Sequence, residues 1–279
     1  NELDPRTGIW TAKSNTPIEL HHMQCVAVDN EIYILNAWTG DFPYEQNVEQ
    51  VMVYDTLTDT WSNRVGLPEP RQRGGGSSVL VTNPTDGTRE IYVSHGNRGG
   101  HGVHSESLPW FDKYNVDLDE WTTNLPDAPN ARDHTGGALM ADGNTICVAG
   151  GRNSGIEGYL NKPVLPTDCY NLDTGEWEEK EDIPQGRAGS SYGTTCDGNL
   201  VVAGGEGFGQ AWDNVDMFDG IAWTSLDDLV QARHGSGLAT FCGCGEMLIA
   251  SGSGNQGGGP ELETTERIIT PSWDCGDAV

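Results

Sequence analysis

One pattern limits what this 279-residue chain can fold into: an aromatic residue, then Asn or Asp, then Trp six residues after that polar residue. Tyr54-Asp55 leads to Trp61, Tyr114-Asn115 to Trp121 and Tyr170-Asn171 to Trp177. Asp4 to Trp10 keeps the spacing, and Phe218-Asp219 to Trp223 shortens it. Between these marks lie two more. An Arg with a run of small residues recurs at 71-RQRGGGSSVLV-81, 131-ARDHTGGALMA-141, 186-GRAGSSYGTTC-196 and 232-ARHGSGLATFC-242, with a degenerate copy at 21-HHMQCVAV-28. An apolar strand follows each, as in 90-EIYVSHG-96, 145-TICVAGG-151 and 200-LVVAGGEG-207. Each unit thus reads as four short strands, a sheet too small to stand without neighbours. Repetition at roughly fifty residues is the period of radial sheet arrays.

Three marks recur in one order: Gly-Gly after an apolar strand, Tyr-Asn or Tyr-Asp six before Trp, and a Pro-containing loop with Arg ahead of a small-residue strand. In this the chain resembles Kelch repeats over nearly its whole length. The resemblance implies an all-β propeller of four-stranded blades, spanning 1–279 as one domain. Five blades are counted, with six the alternative, where Kelch propellers usually have six or seven. The blades are expected at 21–67, 71–124, 131–180, 187–226 and 232–270. The last lacks a fourth strand, so residues 8–13 are expected to complete it and remove the open edge. The recurring Trp residues are read as core between blades.

Charge and cysteine then narrow the setting. The 42 Asp and Glu against 15 Lys and Arg give a formal net charge of −27. This opposes binding to nucleic acid or an anionic membrane surface, and is read as a solvated, self-repelling surface. No apolar run is long enough to span a bilayer. The chain starts Asn-Glu-Leu, which reads as a processed form or a fragment. No C-x-x-C pair, D-x-D-x-D-G loop or N-x-S/T sequon is present. On the propeller topology, Cys242 or Cys244 is expected near Cys275, and Cys147 near Cys196. Disulfides there would place the protein in an oxidising, extracytoplasmic compartment, secreted or lumenal.

A rigid propeller presents its function on loops. The long second-to-third-strand loops carry Trp38, Phe42, Tyr44, His101, His104, Tyr159, Phe208 and Trp212 amid flexible Gly, a composition suited to a protein or carbohydrate partner. Arg73, Arg132, Arg187 and Arg233 fall at one repeat phase near His22, His134 and His234. Two roles suit them: tying inner strands together, or forming a cationic ring at the channel mouth that holds an anion. His101-Gly-Val-His104 lacks a third ligand, so no metal and no cofactor is expected. Neither a galactose-oxidase-like copper ligand set nor the E-x-x-x-D-x-x-x-C of plant specifier-type Kelch proteins is found. A Kelch enzyme acting on an acidic sugar would use Arg on the substrate carboxylate. The preferred reading is a non-catalytic binding or assembly module with a protein partner, within a larger complex. A lectin-like or anion-binding propeller and an acidic-sugar enzyme are the alternatives.

Overall fold

The computed structural model describes residues 1–241 and 246–270. Five antiparallel meanders follow one another as blades. Blade 1 comprises Cys25–Val28, Glu31–Ile34, Val51–Asp55 and Thr60–Arg64. Blade 2 comprises Ser77–Thr82, Arg89–Ser94, Phe111–Asn115 and Glu120–Leu125. Blade 3 comprises Gly136–Leu139, Thr145–Ala149, Thr167–Asn171 and Glu176–Lys180. Blade 4 comprises Ser191–Thr194, Leu200–Ala203, Val215–Phe218 and Trp223–Ser225. Blade 5 has Gly237–Phe241, Glu246–Ala250 and Thr265–Ile269 among the described residues. The inner strands pack in chain order, each on the next. Apolar clusters fill the spaces between blades; Ile91, Val93 and Tyr114 of blade 2, for example, meet Tyr33, Val51 and Val53 of blade 1. Among the described residues no helix is long and apolar enough to cross a membrane.

The aromatic hexad builds the outer hairpin of blades 1, 2 and 3. The Asp55 carboxylate accepts the amides of Leu57 and Thr58, and Asp59 turns the chain at φ 57°. Asn115 likewise accepts the amide of Leu118, and Asn171 those of Asp173 and Thr174. The hairpin register then sets Tyr opposite Trp, with ring centroids 5.0 Å apart for Tyr54–Trp61 and 5.2 Å for Tyr114–Trp121 and Tyr170–Trp177. Each Trp indole N–H reaches the exit of the preceding blade. Trp121 donates to the Val65 carbonyl and Trp177 to the Pro126 carbonyl, both at 2.8 Å. The spacing is therefore a clip between neighbours.

The same logic corrects the expected closure. Ile9–Thr11 does not lie beside 264–270; it pairs with Glu2–Asp4 in a separate two-stranded sheet. The reason is in the hexad: Asp4 to Trp10 is an outer-hairpin signature, so residues 2–11 bring their own partner strand. This hairpin leads into blade 1, where Trp61 donates to the Ser14 carbonyl at 3.4 Å and Ser14 bonds Asp59. Ser14 thus stands to Trp61 as Val65 stands to Trp121.

The disulfide expectation also changes. Cys147 pairs with Cys169, its direct cross-strand partner in blade 3, rather than with Cys196, which is itself disulfide-bonded. The register sets the two cysteines directly opposite one another on adjacent strands, with their Cα atoms 4.1 Å apart. Cys242, Cys244 and Cys275 lie outside the described residues.

Candidate functional site at the mouth of the blade array

The four repeat-phase arginines do not form an open cationic ring. Arg73, Arg132, Arg187 and Arg233 are among the largest fully buried side chains. Each reaches an acidic residue on the third strand of its own blade: Asp112, Asp168 and Asp216 at 2.8 Å, and Glu266 at 2.5 Å. Most of their remaining donors hold backbone carbonyls, as Arg187 holds Gly204 and Val202, while Arg132 Nε is buried without a hydrogen-bond partner. A buried guanidinium is stable only when paired and hydrogen-bonded, so the blade turns it inward. Gly205 shows how tightly the chain passes: at φ 127° an added Cβ would lie 2.5 Å from Ser190 Oγ and 3.0 Å from Arg187 Cγ. The amides of Gly96, Gly151 and Gly205 each donate to the carbonyl of the next blade's arginine, lacing the array together.

Two residues beyond each arginine, or at the equivalent place in blade 1, the backbone turns left-handed. This happens at His22 (φ 54°), Gly75 (69°), His134 (53°), Gly189 (60°) and Gly235 (62°). Gly75 donates to the His22 carbonyl, Gly189 to that of His134 and Gly235 to that of Gly189. Non-glycine residues rarely hold this conformation, though His is enriched there. Blades 1 and 3 thereby aim imidazoles into the mouth, while Gly75 of blade 2 leaves room between them.

His101 from the blade 2 loop fills that room. Its ring lies 5.1 Å from His22 and 5.2 Å from His134, and His22 lies 4.6 Å from His134, centroid to centroid. Trp38 is fully buried beneath them, 4.8 Å from His22 and 5.3 Å from His101. Three buried carboxylates surround the group. Glu45 meets His101 Nδ1 at 2.6 Å, Asp133 meets His134 Nδ1 at 2.5 Å, and Glu206 meets Arg152 Nη1 at 2.5 Å. Arg152 Nη2 also donates to His134 Nε2 at 2.9 Å, and its guanidinium lies over the Tyr159 ring. Burial first, then the charge of Arg152, pulls the His134 pKa to about 4 against the opposing pull of Asp133. His22 is lowered well below the ordinary value by burial and by its cationic and imidazole neighbours. Glu206 is held below its usual range by Arg152 and His234, although burial alone would raise it. His22 and His134 are thus neutral acceptors among ionised acids. A transition-metal ion is a group they could hold.

The sequence candidates divide by exposure. His101 enters the cluster, and Trp38 is its floor rather than a contact surface. His104 is exposed on the same loop, outside the cluster. Tyr159 and Trp212 are half-buried, whereas Tyr44 and Phe208 project into solvent, with Phe42 beside Tyr44. His22 and His134 were visible by repeat phase, but their meeting with His101 was not. Asp133, which follows Arg132 directly, and Glu45, in the blade 1 loop, carried no signal that separated them from the other acids.

Repeat phase, outer hairpins and buried arginines together define a Kelch-repeat β-propeller, and this chain is one. It is 31% identical over 283 residues to Kelch-like protein terF of Aspergillus terreus, covering 97% of this chain and 58% of that protein. It is 26% identical over 180 residues to F-box/kelch-repeat protein SKIP20 of Arabidopsis thaliana, covering 60% of this chain and 40% of that one. To Beta-scruin of Limulus polyphemus it is 27% identical over 206 residues, covering 70% and 21%. The chain therefore spans less than two thirds of the length of each of these relatives. No protein-family model matches it. The solved structure of YjhT superposes with a TM-score of 0.63 at 15% identity, covering 93% of this chain and 98% of that one, a likeness of fold alone.

Proposed function

We propose that this propeller is a non-catalytic binding module that presents its long-loop face to a protein partner in an extracytoplasmic setting. The observation that carries this reading is the exposure of apolar side chains on the loops around the mouth. Phe42 is 73% exposed, Tyr44 81%, Val103 96% and Phe208 52%. The loops bearing them are held in place by one another. Glu45 takes the His101 amide, the Ser154 amide donates to Ser107, Arg152 pairs with Glu206, and Glu206 accepts the Gly257 amide. Exposed aromatic groups on a braced frame suit a protein contact, because little side-chain or loop entropy is lost on binding. Kelch-type propellers commonly bind proteins. The Cys147–Cys169 bridge supports an oxidising compartment.

The test is affinity isolation from the native source after chemical crosslinking, with wild type, Tyr44→Glu/Phe208→Glu and Leu57→Glu. Leu57 is equally exposed, but on an outer-hairpin turn at the opposite end of its blade. One crosslinked partner lost from the double variant and kept by Leu57→Glu is the expected result. A partner indifferent to the loop-face change, or lost only with Leu57→Glu, would reject the assigned face.

A further inference from the structure

Three histidines from three blades bring one nitrogen each to within 4.8 Å of the others: His22, His101 and His134. Their tautomers follow from what the other nitrogen touches. Glu45 and Asp133 are acceptors only, so His101 and His134 carry their proton on Nδ1 and turn a bare Nε2 inward. His22 is set by a relay. The Gly40 carbonyl, 2.9 Å from His21 Nε2, requires a proton there, and in the neutral imidazole tautomer this leaves His21 Nδ1 as an acceptor. His22 Nδ1, 2.6 Å away, must then be the donor, and His22 Nε2 keeps its lone pair. Three imidazoles in the tautomer that ligates through Nε2 therefore face one space.

We propose that His22, His101 and His134 form a binding site for a divalent transition-metal ion of the zinc or copper(II) type. Imidazole suits these ions, and three histidines with an open fourth position are an established way of holding zinc. The spacing agrees. His101 Nε2 and His134 Nε2 are 3.3 Å apart, and a tetrahedral ion with Zn–N bonds of about 2.0–2.1 Å separates its ligands by about 3.3 Å. The carboxylates on the far nitrogens are the outer partners that fix ring orientation and raise ligand basicity in metal centres. Charge points the same way. Glu45, Asp133 and Glu206 bring three negative charges and Arg152 one positive, an excess of two that a divalent cation balances. That excess also disfavours an anion held by Arg152. His134 is buried whereas His22 and His101 are partly exposed, so the ion enters past the latter two and keeps a position open to water.

Arg152 is the competitor, since its Nη2 lies 2.9 Å from His134 Nε2 and 3.4 Å from His101 Nε2. Binding requires it to retract onto Glu206, Ser154 and the Tyr159 ring, which it already contacts. This gives the test its sign. Tag-free protein stripped with chelator is titrated with zinc by calorimetry and with copper(II) by electron paramagnetic resonance. One equivalent is expected to bind, with nitrogen hyperfine structure on copper. His101→Ala, a loop substitution, weakens zinc by ~100-fold or more, Glu45→Gln weakens it by ~10–100-fold, and His104→Ala leaves it unchanged. Arg152→Met tightens it. Absence of stoichiometric zinc and copper binding to folded wild type overturns the proposal. So does equal binding by His101→Ala, or loss on Arg152→Met together with binding of inorganic phosphate by wild type. Because the protein partner plays no part in these titrations, the metal site and the loop-face reading fail separately.

Discussion

At the scale of single residues, the interior contains charges and imidazoles whose protonation depends on folding. His95, in the left-handed conformation at φ 61°, is completely buried, with Nε2 3.5 Å from Asp168 Oδ2. Burial, then the charges of Arg132 and Arg73, lowers its pKa from 6.5 to about 4 despite the pull of Asp168. Between those values the unfolded chain binds a proton that the folded chain refuses. Stability is therefore complete above about pH 6.5 and falls as pH drops through the window, by on the order of 3 kcal/mol at its acid end. Asp168 acts in the same direction at lower pH. Burial alone would raise its pKa, but the nearby His95 imidazole and the charge of Arg132 hold the carboxyl below its usual range. Urea titrations at pH 7 and pH 4.5 should show His95→Asn, which tolerates a positive φ, losing distinctly less stability than wild type on acidification. Equal losses would mean that His95 is not what limits acid tolerance.

At the scale of the element, the outer hairpin joins blades through one indole. Trp121 stacks on Tyr114 within its own blade and donates to the Val65 carbonyl of blade 1. Trp121→Phe keeps most of the stacking and removes the donor, so it should cost about 1 kcal/mol, the net worth of one hydrogen bond. Trp121→Ala removes both and should cost about 3 kcal/mol or more. Denaturant unfolding of the two variants separates the contributions; similar losses would show that the clip adds nothing beyond packing. The N-terminal hairpin obeys the same rule. Its hexad directed Ile9–Thr11 to Glu2–Asp4 and its exit to Trp61, and no free strand was left over for blade 5.

At the scale of the whole molecule, the excess of acidic groups works against compactness. Several acids are balanced locally by the buried arginines, but the formal charge of −27 leaves most of them repelling one another over the surface. Raising sodium chloride from about 10 mM to about 150 mM shortens the screening length from about 30 Å to about 8 Å. The melting temperature should rise over that range at pH 7.5. A fall would mean that the paired arginines outweigh surface repulsion.

The five blades and their order were legible in the sequence because each repeat carries its own turn chemistry and apolar alternation, and these act over a few residues; the inner strands, however, begin four residues beyond Arg73, Arg132, Arg187 and Arg233 rather than at them. The spacing of Asp4 and Trp10 already carries the outer-hairpin signature, yet Ile9–Thr11 reads as the missing edge of blade 5 until its pairing with Glu2–Asp4 is seen. What the repeats could not show is which way a polar side chain turns. Arg132 and His134 are two residues apart in one strand entry, yet one is buried on Asp168 and the other faces the mouth. The meeting of His22, His101 and His134 joins positions more than a hundred residues apart, and Glu45 and Asp133 become their partners only when three blades converge. Local periodicity therefore determined the wheel of sheets. The cluster at its mouth was decided by tertiary structure alone, because charge pairing and tautomer depend on distances that no stretch of sequence contains.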